Sequence, residues 1–269
     1  MLKSYKQFLS ISNIDFTLPY PITNLLSFIT YQHENGLAYS TLKSNLSALS
    51  YFCKINDVKD TTKAYVLGQL LKGIKVYSPS LSKRCPLLPS HIKILLKNIP
   101  KLNLPYYSRI LFNAMITLAF ALALRIGEMT FSKHNLLFQN IILTHSSLFV
   151  SFHSFKHSVC GTSSDHIIHE QASSICPVKH MRKYLALRGA FAGPLFISRN
   201  SAISRKQFAD FFRAAISVSK LKGFFTPHSF RIGAASWWSH QGLSDSQIRK
   251  KGRWQSDAFK IYVRGTIAH

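Results

Sequence analysis

Apolar residues in the first part of the chain recur at helical spacing. Leu25, Leu26, Phe28 and Ile29 follow Pro21-Ile22-Thr23, and Gly36 stops the run. Ser40 offers a cap to a second helix carrying Leu42, Leu46, Leu49 and Phe52. A third starts near Thr61 and sets Val66, Leu67, Leu70, Leu71 and Ile74 on one stripe. These segments predict a small helical bundle over residues 1–80. Ser78-Pro79-Ser80-Leu81-Ser82-Lys83-Arg84-Cys85-Pro86 mixes Pro, Ser and basic residues and reads as a linker.

Helical spacing resumes at Ser90–Asn98 and Pro105–Leu124, with a short continuation through Met129. Leu111–Leu124 is the most apolar stretch. Its 14 residues end at Arg125, short of the roughly 20 that a membrane span needs, so it predicts a buried core helix. The middle of the chain changes period. Ile141–Thr144, Leu148–Phe152 and His166–His169 are short apolar runs separated by turn residues, which predicts a small antiparallel sheet. Helical spacing returns at Pro177–Leu187, at Arg205–Val218 and from His228 onward. The expected fold class is mainly α with a small antiparallel sheet (α+β), in two domains, 1–80 and 85–269.

Charge narrows the function. The 269 residues include 34 Lys and Arg against 10 acidic residues, a net of +24. Residues 1–80 carry eight Lys, no Arg and four acids, and the other 26 basic residues all lie beyond. An excess this large suits a polyanionic partner, nucleic acid before an anionic membrane. A membrane surface requires a basic amphipathic helix with a strongly apolar face, and no segment reads that way. Cys53, Cys85, Cys160 and Cys176 form no CxxC pair, so no metal site is expected, and reduced thiols fit. The opening residues MLKSYKQFLSISNIDF lack the apolar run of a signal peptide.

Three segments hold candidate chemistry. In Ala123-Leu124-Arg125-Ile126-Gly127-Glu128, an Arg ends an apolar helix three residues before a Glu. A plain i, i+3 ion pair is the structural alternative. In Pro227-His228-Ser229-Phe230-Arg231, the His and Arg share a helix face at a helix start. A neutral core His beside a surface Arg is the alternative. In Gly252-Arg253-Trp254 through Tyr262, a tyrosine sits on a short amphipathic stretch, where packing alone would explain it.

The order of these segments carries more than any one of them. ALRIGE, then HSFR about 100 residues later, then GRW with a Tyr eight residues past the Trp, resembles the tyrosine recombinase (phage integrase) family. HSFRIGAAS, GRWQSDAFKIYVR, CPVKHMRKYLALRG and GPLF are similar in wording to recombinases of eukaryotic mobile elements of the DIRS or Crypton type. The resemblance implies a core-binding domain followed by a catalytic domain, the two closing on DNA as a C-shaped clamp. It implies catalytic roles for Arg125, Glu128, His228, Arg231, Trp254 and Tyr262, with Tyr262 as nucleophile. It also implies a Lys on a β-hairpin between the first Arg and the HxxR pair. Lys156, which follows the Leu148–Phe152 run, is the only Lys between Lys133 and Lys179.

The implied activity is site-specific cleavage and rejoining of double-stranded DNA through a 3′-phosphotyrosine. No cofactor or metal is expected, and a homo-oligomer (dimer or tetramer) would form on DNA. The location would be the nucleus for a eukaryotic mobile element and the cytoplasm otherwise. Relaxation of supercoils in the manner of a type IB topoisomerase, and DNA binding without catalysis, are the competing readings.

Overall fold

The computed structural model describes residues 1–77, 84–153 and 163–264. The chain divides into two compact units, Met1–Leu81 and Ser82–His269. Residues 78–83 of the stretch read as a linker lie outside the described residues.

The first unit is helical: α1 (Leu2–Ile11), α2 (Ile22–Glu34), α3 (Tyr39–Ile55) and α4 (Tyr65–Tyr77). Its core is built by the apolar stripes of these helices, with Leu25, Phe28, Leu42, Leu49 and Leu67 fully buried. Tyr5 sits edge-on to both Tyr20 and Phe28, at 5.2 and 5.0 Å between ring centres. Two local expectations change. Ser40 lies inside α3, whose cap is Ala38 with no side-chain bond. The helix expected from Thr61 starts as a single 3-10 turn, Thr61–Lys63, and α4 follows after a break at Ala64. Asp60 causes the break: its carboxylate accepts from the Thr62 amide and hydroxyl and from Ser50, holding the turn apart from the helix.

The second unit packs around one helix. It contains α5 (Pro89–Asn98), α6 (Tyr106–Ala121), the single turn α7 (Ile126–Met129), α8 (Pro177–Arg188), α9 (Arg205–Val218), α10 (Ser229–His240) and α11 (Asp245–Gly252). Leu111, Phe112 and Ala114 through Phe120 of α6 are buried, with α8 and α10 packed against it. Each fully buried Leu or Phe stabilises the fold by about 1.5–3 kcal/mol. Both α9 and α11 start with a capping box. Ser204 and Gln207, and Ser244 and Gln247, exchange side-chain and backbone bonds across the first turn.

Strands β1 (Ile141–Leu143), β2 (Ser147–Phe152) and β3 (Ser164–His169) form an antiparallel sheet in the order β1-β2-β3. The register sets Val150 opposite both Ile141 and His166. Leu148, Val150 and Phe152 of β2 therefore point together into the core. A two-residue hairpin, β4 (Ile197–Ser198) and β5 (Ser201–Ala202), precedes α9. Its turn residues Arg199 and Asn200 both have positive φ.

The continuous helix expected from Pro105 through Met129 is broken. The α6 end closes with Ala123 at φ 46°: the Ala123 amide reaches the Phe120 carbonyl and the Leu124 amide the Ala119 carbonyl. This is a Schellman closure with alanine where glycine is usual. The helix expected from His228 onward is likewise interrupted, by Gly242 at φ 80° after α10 and by Arg253 at φ 54° after α11. It continues only as the 3-10 turn Asp257–Ile261.

The loop after α8 is held by one buried guanidinium. Arg188 donates to the carbonyls of Gly189, Phe191, Pro194 and Leu195, and its plane lies 4.5 Å over the Phe138 ring. The same loop pairs through Leu195 with Leu136, whose amide binds the Glu128 carbonyl. Arg188→Met strands those carbonyls in the interior. It is expected to destabilise the second unit by about 2–4 kcal/mol, read as a lowered urea midpoint with the slope unchanged.

Candidate active site

The end of α6 leaves two backbone carbonyls, Leu122 and Ala123, facing inward at the negative end of the helix dipole. Two arginines from distant parts of the chain occupy them. Arg231, at the start of α10, donates through Nη1 to the Ala123 carbonyl. Arg253, just past α11, donates through Nη1 to the Leu122 carbonyl at 3.1 Å. The left-handed conformation of Ala123 thus has a use, since it aims that carbonyl at Arg231.

A third arginine joins through α7. Glu128 is 1% exposed. Its Oε2 accepts from the Arg125 amide at 2.8 Å and from Arg253 Nη2 at 2.9 Å, and its Oε1 accepts from Arg125 Nη1 at 3.1 Å. The i, i+3 pair open in the sequence does form, and it is one part of a larger network. Burial alone would raise the Glu128 pKa. Arg253, the Arg125 amide and the Arg125 and Arg231 charges outweigh burial and hold it below the usual carboxylate range. One carboxylate therefore serves three guanidiniums.

Arg125, His228, Arg231, Arg253, Trp254 and Tyr262 line one cavity of about 640 Å³. The Arg231 guanidinium lies 4.5 Å over the Trp254 ring. Burial, and then the Arg125 charge, press the Arg231 pKa down to about 9, which leaves it charged at neutral pH. The ring of His228 meets that of Tyr262 edge-on at 5.0 Å, and Trp254 lies 5.9 Å from Tyr262. Burial, then Arg231, Arg84 and Arg125, push the His228 pKa down to about 4, so its imidazole is neutral at pH 7.

Tyr262 follows the 3-10 turn Asp257–Ile261, anchored by the fully buried Phe259. Ser236 of α10 donates its hydroxyl to the Tyr262 carbonyl at 3.0 Å, and the Ser236 hydroxyl oxygen in turn accepts from the Arg264 amide at 3.0 Å. The tyrosine is thus tied to the helix that carries Arg231.

The structure brings together six of the seven residues singled out in the sequence. Glu128 lies beneath the cavity and the other five line it. Lys156 lies outside the described residues. Arg253 and Ser236 were not singled out. Arg253 stood inside the GRW triplet, but its role depends on Glu128, 125 positions earlier. Ser236 had no signal beyond its place one turn after Arg231. Among the described residues no cluster of His, Cys, Asp or Glu could hold a metal ion.

Buried cations opening on a cavity beside a neutral imidazole and a phenol define a site for an anionic ester and a nucleophilic hydroxyl. Residues 87–266 match the phage integrase family model, and the chain belongs to that family, the tyrosine recombinases. Three solved structures share its fold. The Tn1549 transposon integrase in complex with circular intermediate DNA is 13% identical, covers 97% of this chain and 88% of that one, and has a TM-score of 0.65. XerH site-specific recombinase in its pre-cleavage complex with a difH substrate is 14% identical over 98% of this chain and 73% of that one, with a TM-score of 0.68. A lambda integrase dimer bound to a COC′ core site is 16% identical over 97% and 70%, with a TM-score of 0.60. No curated protein sequence matches the chain.

Two outcomes follow from this geometry. Gly252 allows the Trp254 ring to fold back, since a Cβ there would fall 1.6 Å from a ring atom. Gly252→Ala displaces the ring from Arg231. Turnover of a DNA substrate is expected to fall about tenfold or more with the fold retained, as judged by circular dichroism. The second outcome concerns pH. An ordinary His loses its neutral form near pH 6.5, whereas His228 does so only near 4. Cleavage at sub-saturating protein should stay level from pH 8 to about 5.5. The same depression means that His228 contributes stability above pH 6.5 that is lost as pH falls toward 4.

Proposed function

We propose that the chain cleaves and rejoins double-stranded DNA at specific sites by forming a 3′-phosphotyrosine on Tyr262. The observation that carries this is the convergence of Arg125, Arg231, His228 and Tyr262 on one cavity from three segments of the chain. The phenol oxygen attacks phosphorus, and the bond to the 5′ oxygen breaks. Arg125 and Arg231 hold the two non-bridging oxygens, where charge grows in the transition state. Neutral His228, against the Tyr262 ring, takes the phenolic proton. Lys156 is assigned as the acid that protonates the departing 5′ oxygen. Attack by a second strand's 5′-hydroxyl on the phosphotyrosine runs the steps backward, with no external energy source. Trp254 keeps Arg231 in plane by stacking on it.

The Met1–Leu81 unit is assigned as the core-binding domain and Ser82–His269 as the catalytic domain. The +24 charge supports a duplex held largely through its phosphates. The Tn1549 integrase and lambda integrase structures are DNA complexes, the latter a dimer. By analogy this chain would act as a homo-oligomer on DNA. The HSFRIGAAS and GRWQSDAFKIYVR wording supports an origin in a eukaryotic mobile element, and with it a nuclear location. No helix of the described residues is long and apolar enough to cross a membrane.

The test is a nicked suicide duplex that traps the covalent adduct. Wild type should form the adduct in metal-free buffer. Tyr262→Phe should form none while binding the same duplex within about threefold, because phosphate contacts supply the affinity. Arg231→Ala should slow adduct formation roughly 10²–10³-fold. An adduct from the Phe variant would move the nucleophile elsewhere, and no adduct from wild type would favour DNA binding without catalysis. Relaxation of supercoiled plasmid without strand exchange would favour the topoisomerase reading.

A further inference from the structure

Arg253 is as deeply committed to the site as any residue the family resemblance names. Its side chain is 1% exposed. Nη2 binds Glu128 Oε2 at 2.9 Å and Nη1 binds the Leu122 carbonyl at 3.1 Å. Its guanidinium plane lies 3.9 Å over the ring of Phe152, at the end of β2. The backbone accepts a left-handed conformation, φ 54° and ψ 47°, to put it there. That conformation disfavours an L-residue with a Cβ, so the interactions of this side chain offset a local cost.

Arg253 borders the cavity, but Nη1 and Nη2 are both used within the protein and the third nitrogen, Nε, is buried without a partner, so the side chain presents no exposed fork to a ligand. Its reach is indirect. Glu128 Oε2 is shared between Arg253 and the Arg125 amide, and the other oxygen of the carboxylate holds the Arg125 side chain. With Arg253 in place, the carboxylate is fixed from two sides and can present Oε1 to Arg125 in one orientation. With Arg253 gone, it is held from the Arg125 side alone. Arg125 is 26% exposed, the least buried of the three guanidiniums, so it depends most on Glu128 for its direction.

We propose that Arg253 is a positioning residue: through Glu128 it orients Arg125 toward the phosphate, and it makes no contact with DNA itself. This deepens the recombinase reading and rests on it. Its effect on cleavage must then vanish when Arg125 is absent, whereas an effect on folding or a direct phosphate contact would persist.

The experiment compares single-turnover adduct formation at saturating protein on the suicide duplex. Arg253→Lys keeps the buried charge but cannot hold Glu128 and the Leu122 carbonyl together with one planar fork. On the wild-type background we expect adduct formation about tenfold slower, with duplex affinity within twofold and the thermal midpoint showing a folded protein. On an Arg125→Ala background the same change should cost less than twofold. An equal tenfold loss on both backgrounds overturns the proposal, as does no loss on the wild type. If Arg125→Ala forms no measurable adduct, Glu128→Gln serves as the second background with the same two readings. If Arg253→Lys fails to fold, Arg253→Met combined with Glu128→Gln removes both buried charges at nearly constant volume and is compared with and without Arg125→Ala. Failure of the wild type to form any adduct would instead refute the recombinase reading, which separates the two.

Discussion

A single buried carboxylate holds the candidate active site of this protein together. Glu128 receives Arg125 and Arg253 directly and lies within the field of Arg231. A buried ion pair adds little net stability, yet removing one partner is costly, about 3–5 kcal/mol, because the other charge is left in a poor solvent. The cluster carries three positive charges and one negative. The carbonyls at the end of α6 absorb part of the excess, through the Leu122 and Ala123 contacts with Arg253 and Arg231. The remainder is directed at the cavity. In the proposed reaction a DNA phosphate completes this balance, so the donors are in place before charge develops on the non-bridging oxygens.

The parts that aim the cations are packed into the core, and the segment that carries the proposed nucleophile is held by fewer contacts. The Schellman closure of α6, Phe152 on β2 and the glycine that lets Trp254 fold back are all packed into the core of the second unit. Tyr262 instead follows a single 3-10 turn, with Ser236 bonded to its carbonyl and to the Arg264 amide. Two hydrogen bonds of this kind contribute about 1 kcal/mol each. This division suits a reaction in which the phosphate stays fixed while the tyrosine first attacks and later leaves. These bonds tie the tyrosine's backbone to α10, the helix that carries Arg231.

The neutral state of His228 follows from burial and from Arg231, Arg84 and Arg125, two of which belong to the Glu128 cluster. Burial and three neighbouring arginines disfavour a fourth positive charge. An arginine-rich site thereby keeps His228, the proton acceptor of the proposed reaction, unprotonated at neutral pH, and one arrangement of charges serves both needs.

Much of this was legible in the chain itself. Helical and strand periods, the apolar run ending at Arg125, the basic excess and the ordered segments ALRIGE, HSFR and GRW through Tyr262 indicated the α+β class and the recombinase chemistry. These are local signals, carried by spacing within a few turns. The helix breaks at Ala123 and Arg253 were not legible, because both residues take left-handed backbone that their identity does not announce. Nor was the burial of Arg253, since an arginine beside a tryptophan reads equally well as a surface cation. Its place is decided by Glu128, the Leu122 carbonyl and the Phe152 ring, which lie 125, 131 and about 100 positions away along the chain. A side chain's chemical type is local, but the solvent it sees and the charges it faces are set only when distant segments pack. The sequence therefore determined which groups could act, and the tertiary structure decided which of them line one cavity and which carboxylate holds them together.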